Sequence, residues 1–476
     1  MHSGVPVNPQ RFLHHGAAVP LLALALLCSC ATPPPPSPPP VAYVVMDALG
    51  GATARAIVTG ACPVLVVDGT GRPMVLRVPP QDPPARPNQA KASSFPLAVC
   101  EARLPAGARS ASIDAVALPV PRAAVRRIVV IGDTGCRIKA AEAAFQDCSS
   151  PVSWPFAAVA MAAAGESPDL VVHVGDYHYR ETPCPAALGC AASPWGYGWD
   201  AWNADLFVPA RPLMLAAPWV VARGNHEECA RAGQGWFRLL DPSPYVPARS
   251  CDRPADDEQA DSSDPYAVEL GGNWQLVVFD SAVAPATLNA ARPRQARILA
   301  QYRRQMGIVR ALADRPGMHT LFVSHHPVLG IAVAPGGAVT FGSAALLAAM
   351  EPVNGSRYFP AGVEAALHGH VHTFEAIDFA SDHPATIVAG HGGDKLDPEV
   401  PPVLAPFYAS APTVRIDFAA HSREFGYLVI ERQGEDWDLR ARDLAGAQLA
   451  RCTLHAARLS CTALEPLSRP APPPHG

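Results

Sequence analysis

The sequence predicts an α/β (α+β) protein in which a two-sheet sandwich flanked by helices follows a small all-β sandwich. Three observations carry this expectation. From residue 128 onward, short apolar strands alternate with helical or loop segments, at 128–131, 170–174, 219–222, 275–279, 320–323 and 364–367. Five of these six strands run straight into glycines and polar side chains of the kind that hold metals. Upstream, residues 41–122 hold only short β-rich runs separated by turn residues such as Asp68-Gly69 and Gly71-Arg72-Pro73.

Taken in order, residues 1–30 read as a signal peptide of the lipoprotein type. Arg11 and neighbouring histidines precede the apolar run 19–27, which is too short for a spanning helix. The run closes on Leu27-Cys28-Ser29-Cys30, which resembles a bacterial lipoprotein box with Cys30 as the lipidated residue. Ordinary cleavage near Ala31, giving a soluble protein, is the alternative. Residues 31–40 form a proline-rich tether, stiff enough to hold a domain off a membrane.

The β-sandwich domain is expected over 41–122, with strands near 41–45, 56–58, 63–67, 74–78 and 112–116 and a loose loop from 79 to 94. Nothing in it clusters reactive side chains. The catalytic domain is expected over 123–465. Within it, residues 154–164 read as a short alanine-rich helix. Over 295–313, Ile298, Tyr302, Met306, Val309 and Leu312 recur at helical spacing, which is a packing stripe. The stretches 412–430 and 437–461 are strand-rich and expected to complete the second sheet. The tail 466–476, with three consecutive prolines, is expected to be disordered.

Composition excludes some functions. A net charge of -5 in a chain of 476 residues gives no support to nucleic-acid binding. The chain has 12 cysteines and no C-x-x-C pair, so a zinc ribbon is not expected. Setting Cys28 and Cys30 aside, the rest fall into sequence neighbours: Cys62 with Cys100, Cys136 with Cys148, Cys184 with Cys190, Cys229 with Cys251, and Cys452 with Cys461. Spacing alone leaves the connectivity open, but such a set points to export into an oxidising compartment. No G-x-S-x-G elbow and no P-loop occurs.

The chemistry lies at five strand ends. They read Gly132-Asp133-Thr134-Gly135, Gly175-Asp176-Tyr177-His178-Tyr179, Gly224-Asn225-His226-Glu227, Ser324-His325-His326-Pro327 and His368-Gly369-His370-Val371-His372. Glycines before the ligands allow a sharp turn from strand to loop. This order and spacing resemble the metallophosphoesterase (calcineurin-like) superfamily over about residues 126–395. Most members carry a histidine two residues after the first aspartate; here that position is Gly135, and Tyr179 stands three residues after the second aspartate. That exchange resembles the purple acid phosphatase type, as does the preceding β-sandwich.

The resemblance implies one metal held by Asp133, Asp176, Tyr179 and His372, and a second held by Asp176 as a bridge with Asn225, His325 and His370. Two carboxylates and a phenolate suit a ferric ion; two imidazoles, an amide and the shared carboxylate suit divalent Fe, Zn or Mn. Hydrolysis of phosphate monoesters by a hydroxide bound to the metals is the expected reaction, with Asp176 and His226 catalytic. His226 directly follows ligand Asn225 and is the candidate for protonating the leaving group, with Glu227 orienting it; a loop histidine with a structural hydrogen bond is the alternative. His178, His326 and His391 are candidate substrate contacts. His173 reads as a core histidine and His368 as a support for the last loop. The acidic run 252–264 lacks calcium-loop spacing and reads as a solvated loop. The cluster Trp195, Tyr197, Trp199 and Trp202 reads as packing.

The expected protein is therefore a metal-dependent phosphoric ester hydrolase of the acid phosphatase type, in the periplasm or cell envelope. Its partner would be a small phosphorylated substrate, and its only membrane contact a lipid anchor. A phosphodiesterase or nucleotide hydrolase on the same scaffold, or an inactive phosphate-binding lipoprotein, are the alternatives.

Overall fold

The computed structural model describes residues 40–87, 89–401 and 411–462. The signal peptide, Cys30, nearly all of the tether and the tail from 466 lie outside them. Among the described residues no helix is long and apolar enough to cross a membrane.

Strands that are apolar on every residue must be covered on both faces, and this requirement organises the molecule. Arg127–Ile131, Leu170–His173 and Trp219–Val221 lie side by side in parallel. Their alternating side chains enter two different cores. Ile128, Val130, Val172 and Val220 face a second sheet and meet Leu276, Val278, Leu321, Val323, Leu367 and Ile387. Val129, Ile131, Val171 and Val221 face outward and are covered by Phe156, Val159 and Ala163 of helix Phe156–Gly165 together with Trp202, Leu206 and Trp236.

The second sheet has seven strands, in the order Tyr266–Gly271, Trp274–Phe279, His319–Ser324, Val363–His368, Ala385–Ala389, Phe374–Phe379 and Ile416–Ser422. Its outer face is covered by helices Pro293–Ala313 and Ala344–Asn354. Tyr302, Met306 and Val309 of the expected stripe are buried there, Ile298 and Leu312 only partly, and Leu299, outside the stripe, is buried with them. The fold is the expected two-sheet α/β sandwich with helices outside.

The N-terminal region is all-β, and one of its sheets is continuous with the first catalytic sheet. Val41–Met46 pairs in parallel with Trp219–Val221, and Ala52–Val58, Ala98–Leu104 and Val75–Val78 follow outward. A separate four-stranded sheet encloses a small core with them, built from Val44, Ala54, Leu65, Val67, Ile113 and Leu118. A disulfide joins Cys62 to Cys100 between these layers. The run 112–116, expected as one strand, is a hairpin. Asp114 takes a left-handed φ of 51° and turns Ala111–Ile113 back onto Val116–Leu118.

The C-terminal strands differ from expectation. Only Ile416–Ser422 joins the second sheet. Gly426–Gln433 pairs antiparallel with Arg127–Ile131, and Asp436–Asp443, Gln448–His455 and Arg458–Thr462 extend the first sheet beyond it. The reason is pairing: Arg127–Ile131 has a free edge on that side, and Leu428 and Ile430 complete the inter-sheet core.

Candidate metal centre

All five strand ends arrive at one point, where three of the candidate ligands adopt the left-handed conformation. Asp133, Asp176 and His370 have φ values of 56°, 57° and 72°. Such backbone is costly for a residue with a side chain and persists where the surroundings dictate it. Gly175, at φ 106°, lies so close to His325 that a Cβ would stand 2.6 Å from its Nδ1.

The seven candidate ligands form two groups joined through one atom. Tyr179 Oη lies 3.0 Å from Asp133 Oδ1, 2.9 Å from Asp176 Oδ2 and 3.0 Å from His372 Nε2. Asn225 Oδ1 lies 3.0 Å from both His325 Nε2 and His370 Nδ1. The same Asp176 Oδ2 is 3.2 Å from His325 Nε2, so it belongs to both groups. Asp176, His325 and His370 each offer a ligand atom within 4.8 Å of one another.

These side chains point lone pairs at one another in a buried site, and the protons they hold show the strain. Burial, then the carboxylates of Asp133 and Asp176, push the Tyr179 phenol well above its ordinary value. Burial also raises Asp133. Burial alone would lower His372 and His325, but Asp394 beside the first and Asp176 beside the second push them up to about 10 and about 9. Anionic and imidazole donors converging in this way fit metal cations, which would take the place of these protons.

The calcineurin-like phosphoesterase family model matches residues 126–374, just over half of the chain. The chain belongs to this family. A dinuclear metal site and phosphoric ester hydrolysis follow from that membership. Among solved structures, a purple acid phosphatase, PPD1 from yellow lupin (Lupinus luteus) seeds, is similar at 14% identity and TM-score 0.51, over 91% of this chain and 75% of that one. PhoD is similar at 11% identity and TM-score 0.51, over 90% of this chain and 92% of that one. At such identities the likeness is one of fold. No curated protein sequence matches the chain.

The phosphoesterase supports its donors from behind. The carboxylate of Glu227 accepts from the backbone N–H groups of Asp176, Tyr177, His178 and Gly224 at 3.2, 2.9, 3.2 and 3.1 Å. It thus fixes the Asp176 loop instead of orienting His226, the role expected of it from the sequence. Burial, with Asp176 nearby, pushes Glu227 up to about 8. Asp394, fully buried, lies 3.2 Å from His372 Nδ1 and accepts two bonds from Arg137, whose guanidinium stands 4.8 Å from the Tyr179 ring centre. The carbonyl of Lys395 also faces His372 Nδ1, at 2.9 Å. His368 bonds Ser324 and supports the last loop as expected. His173 is a core residue stacked on Tyr177.

His226 lies against Tyr179, with ring centres 3.8 Å apart and the planes tilted by 43°. Its Nδ1 is 3.0 Å from the His178 carbonyl and 2.9 Å from Glu181 Oε1, so Nε2, 3.8 Å from Asp176 Oδ2, faces the centre. Arg231 contacts the ring at 2.6 Å, pairs with Glu181 and donates to the Asn225 carbonyl at 3.2 Å. Burial, and then Arg231, push His226 down to about 3.

The three candidate substrate histidines part company. His326 stands over His370, with ring centres 4.1 Å apart, its Nδ1 3.2 Å from Ser281. His178 and His391 do not reach the site. His178 is fully buried between Tyr197 and Trp202, because the turn that aims Tyr179 at the centre aims its neighbour into the core. His391 is fully buried against Phe374. Sequence reasoning missed Glu181, Arg231, Arg137 and Asp394; the only local signal was Asp394, closing the glycine-rich turn 390–394.

Disulfides join Cys136 to Cys148, Cys184 to Cys190, Cys229 to Cys251 and Cys452 to Cys461, besides Cys62 to Cys100. Five such bonds mark an exported protein. The acidic run is neutralised by arginines: Asp252 by Arg238, Asp257 by Arg86 and Asp264 by Arg304.

Proposed function

We propose that the chain is an exported phosphatase of the purple acid type, hydrolysing phosphate monoesters and tethered to the cell envelope through a lipid on Cys30. The observation that carries this reading is the meeting of Tyr179 Oη with Asp133, Asp176 and His372. A phenol raised well above its ordinary value by burial and two carboxylates loses its proton only to a strong Lewis acid, which favours a ferric ion in that group. Asn225, His325 and His370 with Asp176 suit divalent Fe, Zn or Mn.

Bound there, the two ions would supply Lewis acidity toward phosphate and acidify a water molecule. The chain's own residues do the rest. His326, beside His370, contacts a phosphate oxygen. His226 presents Nε2 to the leaving oxygen, with its Nδ1 proton held by the His178 carbonyl and Glu181. Burial, and then Arg231, keep the ring neutral in the free site; an entering phosphate dianion acts in the opposite sense and favours the imidazolium that can give up a proton. The partner is a small phosphorylated molecule.

Turnover of nitrophenyl phosphate against its bis-ester, with the metal content of the same preparation, tests the reading. A monoester rate well above the diester rate supports it. The reverse order makes the chain a diesterase, and turnover of neither by metal-loaded protein makes it a phosphate-binding lipoprotein.

A further inference from the structure

Among the seven candidate ligands, Asn225 and His370 are the two that solvent reaches; the other five are buried. The centre therefore opens on the Asn225 side, and Arg231 stands there. Its Nη1 donates to the Asn225 carbonyl at 3.2 Å. Its Nη2 lies 2.6 Å from both Nδ1 and Nε2 of His226. The Arg231 side chain is 14% exposed, against 5% for the His226 ring it touches, so an anion approaching that ring from solvent meets the guanidinium.

The neighbouring guanidinium groups are committed elsewhere. Arg137 and Arg180 each pair with a fully buried carboxylate, Asp394 and Asp205. The carboxylate partner of Arg231 is Glu181, and that carboxylate is shared: it also faces His226 Nδ1 at 2.9 Å and Lys139 Nζ at 4.0 Å. Glu181 and the Asn225 carbonyl steady the Arg231 fork, while one divided carboxylate leaves it a partner for a second anion. A guanidinium carries five N–H donors, and these two contacts do not exhaust them.

We propose that Arg231 is a further catalytic residue, whose guanidinium binds the phosphate oxygens of the substrate on the side of the leaving group. The inference rests on the proposed reaction at this centre. An oxygen that accepts from His226 Nε2 comes within reach of an Nη2 only 2.6 Å from that nitrogen. A planar fork offers phosphate two parallel charge-assisted bonds, which the point charge of a lysine does not reproduce. Arg231 gives up no proton and forms no covalent bond. It offsets charge on the phosphate oxygens while the ester bond to the leaving group breaks.

The test uses the full-length, metal-loaded protein beside Arg231→Gln and Arg231→Lys variants of unchanged metal content, with inorganic phosphate as the binding probe. In calorimetry, Arg231→Gln is expected to weaken phosphate binding by roughly tenfold or more, and Arg231→Lys, which keeps the charge, by several-fold. In turnover of nitrophenyl phosphate, Arg231→Gln is expected to lower kcat/KM by about 100-fold, with Arg231→Lys recovering only part. A residue that only holds Glu181 and the Asn225 loop would leave phosphate affinity untouched. Parental phosphate affinity in either variant, with the parent still turning over the ester, therefore overturns the inference and leaves the phosphatase reading intact. Turnover of neither nitrophenyl phosphate nor its bis-ester by the parent overturns the phosphatase reading, and the catalytic role of Arg231 with it.

Discussion

Glu181 Oε1 lies 2.9 Å from Nδ1 of His226, and this contact decides which ring nitrogen faces the metal centre. With the His178 carbonyl on the same nitrogen, the proton stays on Nδ1, and in the proposed reaction Nε2 is left to serve the leaving group. Glu181→Gln therefore slows hydrolysis of alkyl phosphates, which need a proton donor, by about tenfold or more, and spares nitrophenyl phosphate. His226→Gln shows the same split, and the double variant loses no more than His226→Gln alone. Rates measured across a leaving-group series check this; a uniform loss would make Glu181 a purely structural residue.

Asp394 supports the opposite side of the centre. It holds His372 Nδ1 at 3.2 Å and anchors Arg137 against Tyr179. Outer partners of metal-binding histidines commonly carry about 10- to 100-fold in affinity. Asp394→Asn is expected to weaken metal retention by that order, measured as metal content after dialysis against graded chelator.

Glu375 makes stability depend on pH. Burial, opposed by the Ile331 N–H bond at 3.1 Å, pushes it up to about 8. The folded protein thus keeps a proton that the unfolded chain releases near pH 4.5. Stability from this group is full below that pH and falls as pH rises through about 8. Glu375→Gln removes the decline, so the variant gains on the parent by several kcal/mol between pH 5 and pH 8 in urea unfolding. Parallel curves at both pH values would contradict the assignment.

The Cys229–Cys251 bond closes a 22-residue loop just behind His226. Replacing both cysteines by serine is expected to cost roughly 3 kcal/mol of stability, read by thermal or urea unfolding.

Much of this was legible in the sequence, and the reason is local. Asp133, Asp176, Asn225, His325 and His370 each follow a strand within a few residues, so strand direction alone aims them. Tyr179 and His372 need only one further turn. Glu181, Arg231 and Arg137 sit on loops whose course is set by distant packing, so nothing in their neighbours marks them. His178 and His391 look like site residues in one dimension and are turned into the core in three. The C-terminal strands carry ordinary β patterning, which identifies a strand but not its partner. Their place beside Arg127–Ile131 comes from pairing with a strand far away in the chain, as Ile430 opposite Ile128 illustrates.

The central claim is that Tyr179 binds a ferric ion in a two-metal site. The most direct measurement is the visible absorption spectrum of the purified, metal-analysed protein beside a Tyr179→Phe variant. The account predicts a charge-transfer band in the parent, two metal ions per chain, and loss of the band on substitution. Two metal ions without a visible band, or a band that survives in Tyr179→Phe, would contradict it.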